Sequence, residues 1–239
     1  MIPRIIHYCW FGCGPLPELA QKCMDSWHQY MPDWEYKLWN EDNFDVNQNT
    51  YVKEAYEAGK FAFVSDYVRL WALVKEGGVY LDTDVEVFKS FDALLCYSAF
   101  AGFEGSKCFP IGTCVIASEP HGQWVQEMLC HYENRHFLLK GGSFDLTTNV
   151  QFLSAIMREQ GFVQNGEEQD YKDLHIFSVD YFSPRRTTGE YLLTDNTYCD
   201  HLGLGSWTES RGGWKDVVRR LLGPRIMPFL IKLKRKIIG

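Results

Sequence analysis

From Phe61 to Lys75 the apolar residues Phe63, Val64, Tyr67, Val68, Trp71, Leu73 and Val74 recur at three- and four-residue spacing, which predicts a helix buried on a broad face. Gly77 and Gly78 end that helix, and Val79-Tyr80-Leu81 is a short apolar, β-prone run that delivers Asp82-Thr83-Asp84 at a strand end. Strands are expected at Arg4–Trp10, Glu35–Trp39, Val85–Phe88, Ala99–Phe103, Thr113–Ala117 and His175–Val179. Helices are expected at Pro17–Met31, Pro120–His131 and Val150–Gln160, with a short helical turn at Phe91–Leu95. Turns fall at Phe11–Pro15, Asn40–Asp42 and Tyr181–Pro184, and a polar loop at Gly141–Gln151. This alternation predicts an α/β fold with a mixed, mostly parallel sheet flanked by helices.

The 239 residues suffice for one domain with a large core. No apolar run is long enough for a transmembrane helix, and MIPRIIHYCWFG is too short for a signal peptide, so the chain is expected in the cytosol. Its 8 cysteines are scattered without a CxxC pair, which reads as free, mostly buried thiols and not as a zinc site. The net charge of −7 is uneven, because residues 211–239 carry nine Lys and Arg against Asp216 alone. Their apolar positions Ile226, Phe229, Leu230, Leu233, Ile237 and Ile238 interleave with Lys232, Lys234, Arg235 and Lys236. An interfacial helix on anionic lipid fits that pattern, and a nucleic-acid patch or a solvated terminal helix are the alternatives. Beside an acidic body the lipid reading is preferred, with no nucleic-acid partner expected.

Asp82 and Asp84 are the chemical centre. Two carboxylates one residue apart, beside a buried strand, repel each other unless a cation sits between them. Mg2+ or Mn2+ suits hard oxygen ligands and keeps positions open for phosphate oxygens. Asp66 and Arg69 lie three apart on the preceding helix and share a face, so they reach the same ligand or form an exposed ion pair.

The run SDYVRLWALVKEGGVYLDTDVEV resembles the signature of glycosyltransferase family 32, the bacterial capsular-polysaccharide and yeast mannosyltransferase group, and is similar to the core of clostridial glucosylating toxins. The resemblance covers residues 1–210, leaving 211–239 as a basic amphipathic segment. It implies a GT-A fold, a Rossmann-like mixed sheet, with a nucleotide-sugar donor, a divalent metal and retention of anomeric configuration. Carried over by position, Cys9 and Trp10 contact the nucleobase, Asp66 and Arg69 bind sugar hydroxyls and phosphate, Tyr80 lines the pocket, Asp82 contacts the donor sugar and ribose with Thr83 beside it, and Asp84 ligates the metal. Read without the resemblance, Trp10 is a core residue. The WNEDNF segment matches the family and is assigned structure. His201, Ser206 and Trp207 resemble the family pattern His-His-x-x-x-Ser-Trp, with Asp200 in place of the first His and four residues instead of three before Ser206. The resemblance implies that His201 is a metal ligand and that Ser206 and Trp207 contact the diphosphate in a closing loop.

Asp145, Asn149 and Gln151 are sugar or acceptor contacts, or a plain helix cap, since the family's Gly-Pro is missing there. The expected activity is hexose transfer from a nucleotide sugar, UDP-linked by preference, to a lipid-linked polysaccharide or O-antigen acceptor of the capsule type, at the inner face of the cell membrane. Catalysis rests on stabilising the departing diphosphate by the metal, Arg69 and Trp207. The competing readings are a catalytically silent nucleotide-sugar or lipid-binding module and a toxin-like enzyme that glycosylates protein. A phosphatase of the haloacid-dehalogenase type also carries strand-end Asp-x-Asp, but Glu86 stands where that pattern wants Thr or Val.

Overall fold

The computed structural model describes residues 1–105, 109–184 and 191–203. Its main sheet has seven strands in the order β2-β1-β3-β6-β5-β8-β7: β1 (Ile5–Cys9), β2 (Glu35–Trp39), β3 (Gly78–Leu81), β5 (Ala99–Phe103), β6 (Ile111–Ser118), β7 (Gln169–Tyr171) and β8 (Leu174–Phe177). The strand β4 (Val85–Val87) leaves it to pair with β9 (Cys199–His201). The helices are α1 (Glu18–Tyr30), α2 (Thr50–Glu57), α3 (Phe61–Glu76), α4 (Gln123–Cys130), α5 (Asn149–Glu159) and the single turn α6 (Val179–Phe182).

The expected mixed α/β sheet is present, but "mostly parallel" is corrected. β1 runs parallel to β2 and β3, and β5 to β8, whereas β3–β6, β5–β6 and β7–β8 are antiparallel. For one of these pairs the connection dictates the direction: β7 returns into β8 through Lys172-Asp173, with Lys172 at φ 57°, and only antiparallel partners can be joined so tightly.

Strand alternation distributes the core over both faces of the sheet. Tyr80 and Cys9 point to the side of α2, α3, α4 and α5, while Val79, Leu81, Ile6 and Tyr8 point to the side of α1, β4 and α6. This puts the Tyr80 ring under α3. Gly77 stops α3 at φ 66°, and a Cβ there would lie 2.6 Å from Pro120, so glycine is required on both counts.

His7 ties three elements together. Its Nε2 donates to Gly77 O at 2.7 Å and its Nδ1 accepts from the Trp39 indole at 3.1 Å, and burial holds its pKa below the ordinary value.

Three expectations change. α2 was not expected, because its apolar positions Tyr51, Val52 and Ala55 cover little more than one turn after a polar run. The expected Tyr181–Pro184 turn overlaps the helical turn α6, which takes in Tyr181 and Phe182. Val85–Val87 is a strand, but of the small sheet. Among the described residues no helix is long and apolar enough to cross a membrane. The basic segment 211–239 lies outside the described residues.

Candidate functional site

β3 ends at Leu81, and Asp82 N donates to Cys114 O at 2.9 Å, so the chain is still held to β6 where the acids begin. Val85 N then donates to Asp82 O at 3.1 Å, closing the turn that carries Thr83 and Asp84. α1 fixes the exit from this turn: the Trp27 indole donates to Val85 O at 2.7 Å and Ser26 Oγ accepts from Val87 N at 2.9 Å.

The β4–β9 register sets Val85 opposite His201, and Leu202 N donates to Asp84 O at 3.0 Å. His201 Nε2 consequently lies 3.4 Å from Asp84 Oδ1. Asp200, where the resembling pattern has a histidine, is buried one residue earlier and accepts from the Tyr191 hydroxyl. Ligand atoms of Asp82, Asp84 and His201 all lie within 4.8 Å of one another.

Asp82 is held from behind. Tyr80 OH donates to its Oδ1 at 2.9 Å, and Arg69 Nη2 lies 3.2 Å from the same oxygen and 3.1 Å from Asp66 Oδ1. Arg69 also donates through Nη1 to Thr113 O at 2.6 Å and through Nε to Ser65 O at 3.2 Å, with its guanidinium 4.5 Å from the Tyr80 ring centre. Asp66 accepts from Asn149 N, at the start of α5, at 3.1 Å.

Exposure separates these groups. Asp66, Arg69 and Tyr80 are 0, 1 and 2 % exposed, whereas Asp82, Thr83 and His201 are half-buried. The first three form a layer that orients Asp82 from beneath, and direct contact of Asp66, Arg69 or Tyr80 with a donor requires that this layer open.

The ionisable groups respond accordingly. Burial pushes the Asp66 carboxyl up to about 7 against the opposing pull of Arg69. Burial lifts Tyr80 well above its ordinary range. For His201, burial works downward but Cys114 and Asp84 beside it prevail and hold it well above its usual value. Glu104, directly after β5, faces His201, Asp82 and Arg69, and burial raises its pKa.

Four carboxyl groups, Asp66, Asp82, Asp84 and Glu104, therefore surround one guanidinium and one imidazole. The donor set Asp82, Asp84 and His201, two hard carboxylates and an imidazole in an acid-rich surround, fits a divalent cation of the Mg2+ or Mn2+ kind.

Cys9 is buried against Arg69 and Tyr80, and burial takes its thiol up to about 12. Trp10 is half-buried, and its indole donates to Gly14 O at 2.7 Å. The loop after it is fixed by Glu41, whose Oε1 accepts from Gly12 N at 2.6 Å and from Tyr56 OH at 3.0 Å, giving the WNEDNF segment the structural task assigned to it.

Asp145 accepts from Arg135 at 2.9 and 3.1 Å, Asn149 is buried against Asp66 and Tyr132, and Gln151 closes a capping box with Thr148. The cap alternative is thus present at Gln151. Ser206 and Trp207 lie outside the described residues. Sequence reasoning missed Glu104 and Cys114; the one signal for Glu104 is an acid at the end of a wholly buried strand.

Residues 17–101 match the family described as a glycosyltransferase sugar-binding region containing a DXD motif. Glucan organizing enzyme 1 of Cryptococcus neoformans var. grubii is 38% identical over 190 residues, which span 69% of this chain and 50% of that protein. Inositol phosphoceramide mannosyltransferase 3 of Schizosaccharomyces pombe is 33% identical over 103 residues, 41% of this chain and 29% of that protein. The chain thus spans half or less of the length of these curated relatives. Among solved structures, PaToxG glycosyltransferase aligns with a TM-score of 0.51 at 15% identity, over 67% of this chain and 70% of that one, a likeness of fold.

Proposed function

The chain belongs to the DXD-containing sugar transferases of glycosyltransferase family 32, and on that footing we propose that it transfers a hexose from a nucleotide-sugar donor to a lipid-linked acceptor with the help of a divalent cation. The observation that carries this reading is the convergence of Asp82, Asp84 and His201 at the end of β3, from segments distant in sequence, in a family whose defining motif is that acid pair.

Asp84 and His201, with the outward part of Asp82, hold the cation, and Asp82 also contacts the donor sugar and ribose. Mn2+ or Mg2+ bound there supplies positive charge to a diphosphate leaving group. Tyr80 and Arg69 hold Asp82 in one rotamer, because both donate to the same oxygen. On the family resemblance, Trp10 and Cys9 are assigned to the nucleobase, and Ser206 and Trp207 to the diphosphate. Asp145, Asn149 and Gln151 are assigned to the donor sugar or the acceptor. Retention of configuration is part of the proposal.

Family membership supports glycosyl transfer. The names of the relatives add mannose as the sugar and inositol phosphoceramide as a kind of acceptor to test beside UDP-hexoses and polysaccharide or O-antigen lipids. The basic segment 211–239 would bring a 1–210 transferase domain to the anionic inner face of the membrane, and deletion of residues 224–239 should release it from anionic vesicles.

The test is hydrolysis and transfer assayed with UDP-hexoses and GDP-mannose, with Mn2+ and with EDTA, and the anomer of the product read by NMR. Cation-dependent turnover of one donor is expected. Nucleotide binding without any turnover would favour the silent binding module instead.

A further inference from the structure

Cys114 sits in β6 with 3% exposure, its Sγ 3.8 Å from Ser183 Oγ. Glu104 directly follows β5, its backbone N donating to Pro110 O, and its carboxylate feels His201, Asp82 and Arg69 electrostatically. Glu104 and His201 are only partly buried, so an ion entering from solvent can reach them. The ligand atoms of Glu104, Cys114 and His201 all lie within 4.8 Å of one another, and the same imidazole belongs to the Asp82–Asp84 group.

The two sets differ in chemistry. Asp82 and Asp84 offer hard oxygens, whereas Cys114 adds a thiolate, the ligand that favours zinc-class ions over Mn2+. Bonds of about 2.0–2.3 Å to such an ion require the three donors to close by roughly 1 Å from the limit they now satisfy. Side-chain adjustment suffices for that. The absence of a CxxC pair is no obstacle, because the site is assembled by β5–β6 pairing and by β9.

We propose that Glu104, Cys114 and His201 form a second cation site, for a thiophilic divalent ion of the zinc class, which draws His201 away from Asp84 and so opposes the hard cation of the Asp82–Asp84 pair. Ligation moves the Cys114 thiol proton to solvent and involves no change of oxidation state. The antagonism rests on the cation proposed above for Asp82 and Asp84; the second site does not.

Cd2+ is the probe, since its thiolate charge-transfer absorbance reports sulfur ligation without reference to activity. The full chain is titrated under a phosphine reductant, and the exposed Cys13, Cys96 and Cys130 provide a background common to all variants. Relative to wild type, Cys114→Ser should lose one thiolate's worth of absorbance, Glu104→Gln should bind at least about tenfold more weakly, and Asp84→Asn should keep the band.

Wild-type behaviour in both Cys114→Ser and Glu104→Gln would overturn the site, and loss of the band in Asp84→Asn would show that it is not separate from the acid pair. Because Cys114 is buried, Glu104→Gln carries the test if the serine variant fails to fold. Free Mn2+ is followed by paramagnetic resonance in parallel. Cd2+ should release bound Mn2+, and unchanged Mn2+ binding would overturn the antagonism. Failure of Mn2+ to bind at all, with the Cd2+ band intact, would instead count against the proposed cation at Asp82 and Asp84.

Discussion

His201 Nε2 lies 3.4 Å from Asp84 Oδ1, brought there by the pairing of two three-residue strands. The backbone sets this contact, through the β4–β9 ladder and the bond from Leu202 N to Asp84 O, so the imidazole can be removed without undoing the ladder. His201→Ala is expected to weaken Mn2+ binding about tenfold, the loss of one ligand of three, with little change in the denaturation midpoint. Equal Mn2+ affinity in variant and wild type, read by calorimetry, would remove His201 from the cation site.

Tyr80 acts on Asp82 from the same strand. In Tyr80→Phe the 2.9 Å bond to Oδ1 is lost while the ring stays beneath Arg69. A single bond to a charged acceptor contributes about 1.5 kcal/mol, so cation affinity should fall roughly tenfold. Should the phenylalanine variant bind Mn2+ as wild type does, Asp82 is oriented by Arg69 alone.

Asp66 makes stability depend on pH. Its carboxyl is raised from 3.8 to about 7 in the folded chain, mainly by burial, so the folded state holds a proton that the unfolded chain has already released. Its contribution to stability is complete below the unfolded value and is lost as pH rises through the folded one. Asp66→Asn should therefore gain stability relative to wild type as pH rises from about 4 to about 7, while losing activity. Urea titrations in EDTA across that range test it, and a difference that does not vary with pH would refute the assignment.

Gly77 is a backbone requirement remote from the acids. Gly77→Ala places a Cβ 2.6 Å from Pro120 at a φ of 66°, and should cost about 2 kcal/mol or more. Thermal denaturation reads the loss. A variant as stable as wild type would mean that the α3–β3 joint relaxes freely.

Much of this frame was legible in the sequence. The spacing of Phe63 to Val74 and the two glycines locate α3 and β3 to within a residue or two, because a long, strongly periodic helix with a glycine stop leaves few alternatives. Asp82 and Asp84 followed from their place at the strand end. Their environment did not.

That Arg69 is tied to Thr113 O, that Glu104 and Cys114 face His201, and that β9 pairs with β4 are all consequences of strand order, to which local pattern is blind. β9 is only three residues long with Asp and His in two of them, so no alternation announces it. The preference for a mostly parallel sheet failed for a related reason, since direction depends on connections such as the one between β5 and β6.

Cation-dependent nucleotide binding through Asp84 is the claim on which the functional account turns. Calorimetric titration of UDP and of GDP into the wild-type chain and Asp84→Asn, each with Mn2+ and with EDTA, measures it directly. The account predicts binding of one nucleotide to the wild type in Mn2+ that disappears in EDTA and falls at least about tenfold in the variant. Binding of neither nucleotide, or binding indifferent to both EDTA and Asp84→Asn, would contradict it.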